Sequence, residues 1–399
     1  MPVGTAFHDR TFALCESLNY REWAGYYAVS AYEAHHEHEY AAIRNGAALI
    51  DVSPLYKYIV SGRDAGRLVN RVITRDASKI GVGQVVYTPW CDERGKVIDD
   101  GTVSRLDEHV WRWTAADPSL RWFRQNAVGL DVEIDDVSER VAALAVQGPT
   151  SARLIRAAGD VDLDSLKYFR VTLGRVGDVP VEVSRTGYTG DLGYEIWMPW
   201  DRAGEVWDRL AAVGKAHDAK PAGMLALDVA RIEAGLLLID VDFHGARKVS
   251  IDAQRYTPDE LGLSRLVATD KAPFIGREAI RSERARGHAR QIVGLEISWS
   301  DVEGHYTRVG LTPQVPIVAS RMAVPVYRDG RQVGKATSTT WSPVLKKLIA
   351  IATVDRPHFG VGTSLEIEVT VEAVRHRAGA KVVATPFYNP PQKTQTPPA

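Results

Sequence analysis

The amino-acid sequence predicts an α+β fold followed by a C-terminal all-β domain, and three features of the 399-residue chain support this prediction. Over roughly the first 290 residues, apolar stretches with the two-residue period of strands alternate with stretches of helical period. Several of these strands are joined as hairpins, which favours a split β-α-β arrangement over a purely parallel sheet. Further along, short strands separated by turn residues replace almost all helical patterns, as is typical of a barrel or sandwich.

The first predicted helix covers residues 30–46, with Ser30 as its N-cap and Gly46 at its end. The later elements of this region are strands over 47–62 interrupted at Pro54, a helix over 62–73, a hairpin over 84–106 turning at 92–95, a strand over 109–116, a helix over 119–127, a strand over 142–149, a helix over 150–159, two strands over 179–199 around a glycine-rich loop, and helices over 201–217 and 225–238.

The C-terminal region is predicted to be β-structure almost throughout. Its expected strands lie within 292–299, 308–318, 323–341, 348–354 and 364–374. We therefore expect an α+β region over residues 1–290, a β-barrel domain over 291–388 and a disordered tail over 389–399. The tail is rich in Pro and Thr and has no apolar anchor.

Composition narrows the class of protein. The chain has 49 Lys and Arg against 50 Asp and Glu, a net charge of −1, which excludes a globally basic nucleic-acid binder. Two cysteines, Cys15 and Cys91, are too few for a disulfide framework or a cysteine-rich zinc site. Its apolar stretches are too short to span a membrane, and the first residues do not resemble a signal peptide. We therefore expect a cytoplasmic protein that binds neither membranes nor nucleic acid.

A cluster of histidines could be interpreted as a metal site. His35 and Glu39 would share one face of the predicted helix, with His36 and His38 nearby. However, the H-E-x-x-H pattern is absent and no third ligand is indicated. We therefore predict a solvated helix face and no metal.

Two adjacent carboxylates, Asp99 and Asp100, end an apolar strand segment. Neighbouring residues of a strand point to opposite faces, so one carboxylate can face an interior cavity. A carboxylate held there could accept a proton or orient an amine. The alternative is that both are ordinary turn residues.

The segment 184–195, SRTGYTGDLGYE, has glycines at three-residue spacing that allow close approach of a ligand or sharp turns. Tyr188 and Tyr194 offer flat faces, and Glu195 could accept paired hydrogen bonds from a heterocycle edge. A long hairpin with glycine bulges explains the same pattern equally well.

Several segments, taken in chain order, resemble the tetrahydrofolate-dependent aminomethyltransferase family, whose founding member is the T-protein of the glycine cleavage system. These segments are DVSPLYKY (51–58), IDDG (98–101), AVQGP (145–149), SRTGYTGDLGYE (184–195), ARIEAG (230–235), FIGREAI (274–280), TSTTWSPVLKK (337–347) and PFY (386–388). The resemblance covers nearly the whole chain. It implies a three-lobed fold with two intertwined subdomains in the α+β region, folate in a central channel and a β-barrel closing the ring.

The resemblance also implies roles for individual residues. Asp100 matches the essential carboxylate of the family, and Glu195 matches its pterin-binding glutamate. Tyr188 and Tyr87 match aromatic residues near the folate. Further folate-contacting positions are carried over more loosely: Leu55, Thr114 and Asp117.

The chain departs from the T-protein pattern at three places. The family's D-V-S-H-M block reads DVSPL, and Leu227 replaces a folate-side arginine. An extra stretch over 244–256, with the N-terminal region, resembles the folate-dependent O-demethylases of methoxylated aromatic acids. In that stretch His244, Arg247 or Tyr256 could supply or steer a proton to a leaving oxygen. The alternative is that the stretch is a solvated cover.

The resemblance implies an enzyme that transfers a methyl or aminomethyl group to tetrahydrofolate from a small-molecule donor. A lipoyl carrier protein is a further expected partner if the donor comes from glycine cleavage. One alternative is an O-demethylase of methoxylated aromatic acids. The other is a non-catalytic folate-binding protein, although the chain lacks the K-G-C-Y-x-G-Q-E loop of the iron–sulfur assembly relatives.

Overall fold

The computed structural model describes residues 1–397, over which the chain forms nine α-helices and twenty β-strands. The helices are α1 (His8–Leu14), α2 (Glu37–Asn45), α3 (Ala65–Val72), α4 (Leu120–Asn126), α5 (Ser151–Ala158), α6 (Ala203–Gly214), α7 (Met224–Glu233), α8 (Arg277–Arg286) and α9 (Trp299–Arg308).

The strands are β1 (Asn19–Trp23), β2 (Tyr26–Ala31), β3 (Ala47–Asp51), β4 (Tyr56–Ser61), β5 (Gln84–Cys91), β6 (Val97–Asp107), β7 (Val110–Ala115), β8 (Glu133–Asp136), β9 (Val141–Gln147), β10 (Gly159–Val161), β11 (Val171–Val176), β12 (Val179–Ser184), β13 (Gly193–Pro199), β14 (Ala219–Pro221), β15 (Arg290–Ile297), β16 (Val324–Arg328), β17 (Arg331–Ser342), β18 (Lys347–Asp355), β19 (Ser364–Val371) and β20 (Val374–Val383).

The strands form two large open sheets, a barrel and the separate hairpin β1–β2. One sheet has the order β5-β6-β7-β4-β8, and the other has the order β10-β11-β12-β13-β9-β3-β14, in which only β3 and β14 pair in parallel. The C-terminal strands close into a six-stranded barrel, β15-β18-β17-β16-β19-β20. The predicted α+β fold with a C-terminal barrel is confirmed.

Each large sheet and the barrel has its own hydrophobic core. In the five-stranded sheet, for example, the rings of Trp113 and Phe123 pack with their centroids 4.1 Å apart. A further core joins all three units, because it contains Ile50 of the seven-stranded sheet, Val97 of the five-stranded sheet and Ile349 of the barrel. The three units therefore meet on a shared apolar centre.

The helix predicted over 30–46 begins seven residues later than expected. The backbone up to Ala31 belongs to β2, which pairs with β1 and so satisfies its own hydrogen bonds. The buried Glu39 side chain accepts hydrogen bonds from the N–H groups of Tyr32 and Gly223, both at 2.7 Å. These long-range contacts hold the chain extended where its local sequence favours a helix.

The barrel region also differs from expectation. Helix α9 interrupts a region predicted to be nearly all strand, and residues 308–318 contain no strand. The Ser298 side chain caps α9 by accepting a hydrogen bond from the Asp301 N–H at 3.3 Å. A serine N-cap favours the start of a helix, but the strand pattern of the surrounding residues led to a prediction of β-structure here.

The tail expected to be disordered makes defined contacts in its described part, residues 389–397. Residues 391–393 form a 3₁₀ turn, and the buried Arg185 guanidinium donates to the carbonyl oxygens of Lys393, at 3.3 Å, and Gln395. This buried cation provides the anchor that the tail itself lacks. Residues 398 and 399 lie outside the described residues.

Among residues 1–397, no helix combines the length and the apolar character needed to cross a membrane.

Candidate active site

One polar face of the five-stranded sheet is turned toward the seven-stranded sheet. On β6 and β7 this face carries Asp100, Thr102 and Thr114, and the hydroxyl oxygens of the two threonines lie 2.6 Å apart. Arg112, two residues before Thr114 on β7, lies on the same face and reaches across to the other sheet. The polar faces of the two sheets therefore oppose one another, and we call the space between them the inter-sheet gap.

Asp100 is the carboxylate of β6 that faces this gap. Its Oδ2 accepts a hydrogen bond of 2.5 Å from the Tyr87 hydroxyl on β5. Burial raises the pKa of Asp100 to about 6, while the Tyr87 hydrogen bond acts in the opposite direction. Asp100 is therefore poised to exchange a proton near neutral pH.

Asp99, the preceding residue, has a structural role. Its side chain is fully buried and accepts hydrogen bonds from the backbone N–H groups of Asp100 at 2.8 Å, Ala116 at 3.1 Å and Asp117 at 3.0 Å. It thereby ties the end of β7 to β6. Asp99 does not face solvent, and the sequence prediction that its neighbour faces an interior cavity stays a prediction.

The loop between β12 and β13 carries Tyr188. Its hydroxyl donates to the Leu237 carbonyl oxygen just beyond α7, and burial raises the pKa of Tyr188. The negative charge of Asp100 raises the pKa of Tyr188 further, and Tyr188 in turn raises the pKa of Tyr87. These three side chains are thus brought together.

Glu195 stands on β13, between Ser184 on β12 and Ala145 on β9. Its Oε2 accepts a hydrogen bond of 2.5 Å from the Thr186 hydroxyl, and no described residue donates to its Oε1. Burial raises the pKa of Glu195, whereas Thr186 and the positive charge of Arg112 lower it. One carboxylate oxygen thus remains available to a ligand.

Arg112 is the functional candidate that the sequence prediction missed. Only 4% exposed, it forms an ion pair with Glu182, and its guanidinium carbon lies 4.0 Å from the centre of the Trp197 ring. Its buried Nε has no hydrogen-bond partner among the described residues. The only sequence signal is an arginine in an otherwise apolar alternating strand, on the opposite face from Trp111 and Trp113.

Thr114 and Leu55 have different surroundings. The Thr114 hydroxyl is already engaged with Thr102, so its side chain is partly satisfied. Leu55 is half-buried and packs against the shared core. The buried Lys57 ammonium donates to the carbonyl oxygens of Ser53, at 2.6 Å, and Leu55, at 2.7 Å, which holds this turn in place.

Asp117 lies at one end of the site, close enough for its charge to raise the pKa of Asp100. The Lys248 ammonium donates to both Asp117, at 2.6 Å, and Asp240, at 2.7 Å. His244 lies 3.6 Å from Asp240. The extra stretch 244–256 thus borders the site through Lys248.

Arg247 and Tyr256 are held by other parts of the molecule. Arg247 is exposed and its guanidinium carbon lies 5.3 Å from the Trp122 ring centre. Tyr256 is buried against the barrel, where its hydroxyl lies 3.1 Å from the Thr353 hydroxyl. Among the described residues, neither side chain, nor that of His244, forms a hydrogen bond, ion pair or ring contact with Asp100 or Glu195.

Within the described part of the chain, no three His, Cys, Asp or Glu side chains come together in an arrangement that could hold a metal ion. In the histidine cluster, His38 bonds to Glu33 at 2.9 Å and His36 is buried.

Comparison with known proteins identifies the family of this chain and, with it, the class of enzyme, a transferase of one-carbon groups. Residues 5–271 match the GCVT N-terminal domain, and residues 307–389 match the glycine cleavage T-protein C-terminal barrel domain. The chain belongs to the glycine cleavage T-protein family.

Named relatives agree with this assignment. Aminomethyltransferases from a Thermoanaerobacter species and from Moorella thermoacetica are 33% and 34% identical to it, over 88% and 89% of this chain and 88% and 90% of their own. A trimethylamine-oxide aldolase from Ruegeria pomeroyi is 36% identical over 99% of this chain, which spans about half (48%) of that relative's length. The crystal structure of aminomethyltransferase T from Bartonella henselae shares the fold, with a TM-score of 0.82 at 22% identity, over 98% of this chain and 99% of that one.

Proposed function

We propose that the protein binds tetrahydrofolate in the inter-sheet gap and transfers a one-carbon group to it from a small-molecule donor. One observation supports this proposal: Asp100 and Glu195 stand on two different sheets, and Arg112 joins these sheets through its ion pair with Glu182. A bicyclic ring that carries N–H and amino groups together with a carbonyl oxygen suits these side chains. Glu195 Oε1 can accept from its N–H and amino groups, and the Arg112 Nε–H, which has no acceptor among the described residues, can donate to its carbonyl oxygen.

Each side chain has a distinct task in this proposal. Glu195 accepts hydrogen bonds from the pterin edge and so fixes its orientation, while Tyr188 and Tyr87 pack around it. Bound tetrahydrofolate supplies N5, the amine nitrogen that takes up the one-carbon group. Asp100 holds or receives a proton at its carboxylate beside that nitrogen, with Tyr87 keeping the carboxylate in place.

The donor is tested by incubating the protein with tetrahydrofolate and candidate compounds, and detecting methyl- or methylene-tetrahydrofolate. The panel contains the aminomethyl-lipoyl carrier protein of glycine cleavage, vanillate and syringate. Trimethylamine N-oxide is included because one relative is named for it. We expect folate product with at least one donor.

The panel also separates the alternatives. Product from vanillate or syringate would identify an O-demethylase, and product from the lipoyl carrier would identify an aminomethyltransferase of glycine cleavage. Tetrahydrofolate binding without product from any donor would contradict the transferase and favour a non-catalytic folate-binding protein. Absence of tetrahydrofolate binding would contradict the whole proposal.

Tyr87→Phe is expected to shift the pH dependence of turnover. The Tyr87 hydroxyl favours the ionised form of Asp100, so its removal raises the Asp100 pKa above about 6. The acid limb of the pH–rate profile should therefore move to higher pH, while tetrahydrofolate affinity above that limb stays near the wild-type value. Tyr27→Phe, at an exposed tyrosine, is the control. An unmoved acid limb would contradict the proposed coupling.

A further inference from the structure

A cluster of three arginines surrounds one buried aspartate where the N-terminal hairpin, α7 and the barrel meet. We call it the Asp228 cluster: Arg21 from β1, Asp228 and Arg231 from α7, and Arg321 from the segment before β16. Arg321 lies 2.6 Å from Asp228 Oδ2, Arg21 lies 3.6 Å from the same oxygen, and Arg231 lies 3.4 Å from Oδ1.

The charges of this cluster do not balance. Arg231 is matched by Asp242, at 2.5 Å, and also donates to the Ser338 hydroxyl at 2.7 Å. Asp228 alone therefore faces the two guanidinium groups of Arg21 and Arg321. The pKa of Arg21 is lowered, chiefly because the side chain is buried and to a smaller extent because of the like charge of Arg321. The cluster has one positive charge more than its carboxylates neutralise.

The surplus charge lies on the accessible side of the cluster. The Asp228 side chain is only 4% exposed, whereas those of Arg21 and Arg321 are 25% and 38% exposed. The neighbouring His36 ring is buried and has no hydrogen-bond partner among the described residues. Burial lowers the pKa of His36, and the negative charge of Asp228 opposes this effect. An anion can therefore reach both guanidinium groups from solvent.

The cluster borders the candidate active site through Tyr188. The positive charge of Arg231 lowers the pKa of this tyrosine, whereas the negative charges of Asp100 and Asp228 raise it. In addition, Arg231 donates to the Leu236 carbonyl oxygen at 3.3 Å, next to the Leu237 carbonyl that binds the Tyr188 hydroxyl. Arg231 and Asp228 thus connect the cluster to the tyrosine whose pKa Asp100 also raises.

We propose that Arg21 and Arg321 bind the carboxylate of a one-carbon donor, so that the substrate class is a carboxylic acid that carries the transferable group. This inference rests on the proposed function. Guanidinium forks match carboxylate geometry, and one carboxylate would neutralise the surplus charge. The glutamate tail of tetrahydrofolate is the other source of a carboxylate, and the experiment distinguishes the two.

Binding of matched acid and amide pairs tests the proposal. The probes are N,N,N-trimethylglycine with its amide, and vanillate with vanillamide, titrated by calorimetry with and without tetrahydrofolate. We expect the protein to prefer at least one acid over its amide by about tenfold to a hundredfold, the range for a charge-assisted hydrogen bond. Equal affinity for acid and amide in both pairs would overturn the proposal.

Arginine variants then show which residue is responsible for the preference for the acid over the amide. Arg21→Gln is expected to remove the acid preference without changing amide affinity, and Arg21→Lys to restore part of it. Arg10→Gln, at an exposed arginine paired with Asp208, is the matched control and should keep the preference. Retention of the preference by a folded Arg21→Gln protein, checked by its melting temperature, would overturn the assignment.

Tetrahydropteroate, which lacks the glutamate tail, separates the two carboxylate sources. If Arg21→Gln weakens binding of tetrahydrofolate but not of tetrahydropteroate, the cluster binds the folate tail and the donor assignment is wrong. The acid preference can be measured without folate, so the result also stands apart from the proposed function. That function fails only if the wild-type protein does not bind tetrahydrofolate or yields no folate product.

Discussion

Replacing Asp100 by alanine is expected to abolish one-carbon transfer while leaving tetrahydrofolate binding measurable. The carboxylate is half-buried, receives the Tyr87 hydrogen bond and has a pKa of about 6, which suits proton exchange at neutral pH. General acid–base groups contribute roughly 10²- to 10⁴-fold to rate, so turnover should fall at least that far. Labelled donor and product analysis measures the loss, and calorimetry measures the remaining folate affinity.

The control for this prediction lies on the same strand. Asp107→Asn changes an exposed aspartate at the end of β6 and should leave turnover unchanged. Turnover of Asp100→Ala at the wild-type rate would rule out the proposed role. Asp99→Asn is not a suitable control, because three backbone N–H groups depend on that carboxylate.

Replacing Glu195 by alanine is expected to weaken tetrahydrofolate binding by about 1–3 kcal/mol, the usual loss for a charged hydrogen-bond partner. This corresponds to roughly a 5- to 150-fold higher Kd in calorimetry. Burial raises the pKa of Glu195, and its deprotonated form is the acceptor. Wild-type affinity should therefore fall as the pH is lowered through that pKa, and the variant should lose this pH dependence.

Glu205→Ala is the matched control for Glu195, because Glu205 lies on the exposed surface of α6 and pairs with Arg202 there. Its affinity for tetrahydrofolate should equal that of the wild type. Equal affinity in Glu195→Ala, in a protein with an unchanged melting temperature, would contradict the assignment of Glu195 to the pterin.

Most of the strand pattern was predictable because side-chain alternation is a local property. The hairpin over 84–106, for example, turns at the expected position, where the Gly95 N–H donates to the Asp92 carbonyl oxygen at 3.0 Å. The start of α2 was not predictable in this way. It depends on β1 and on the bond between Glu39 and Gly223, which are distant in sequence.

The candidate site was likewise predictable only in part. Asp100, Tyr188 and Glu195 could be selected from the sequence because each stands in a segment that resembles the aminomethyltransferase family, whereas strand alternation and loop glycines alone left their roles open. Arg112 and the Asp228 cluster emerge only in the folded chain. The sequence by itself determined the fold class, the family resemblance and the acidic residues of the gap, because these depend on local order along the chain. Only the tertiary structure decided which charges face one another, since ion pairs join residues as far apart in sequence as Arg321 and Asp228.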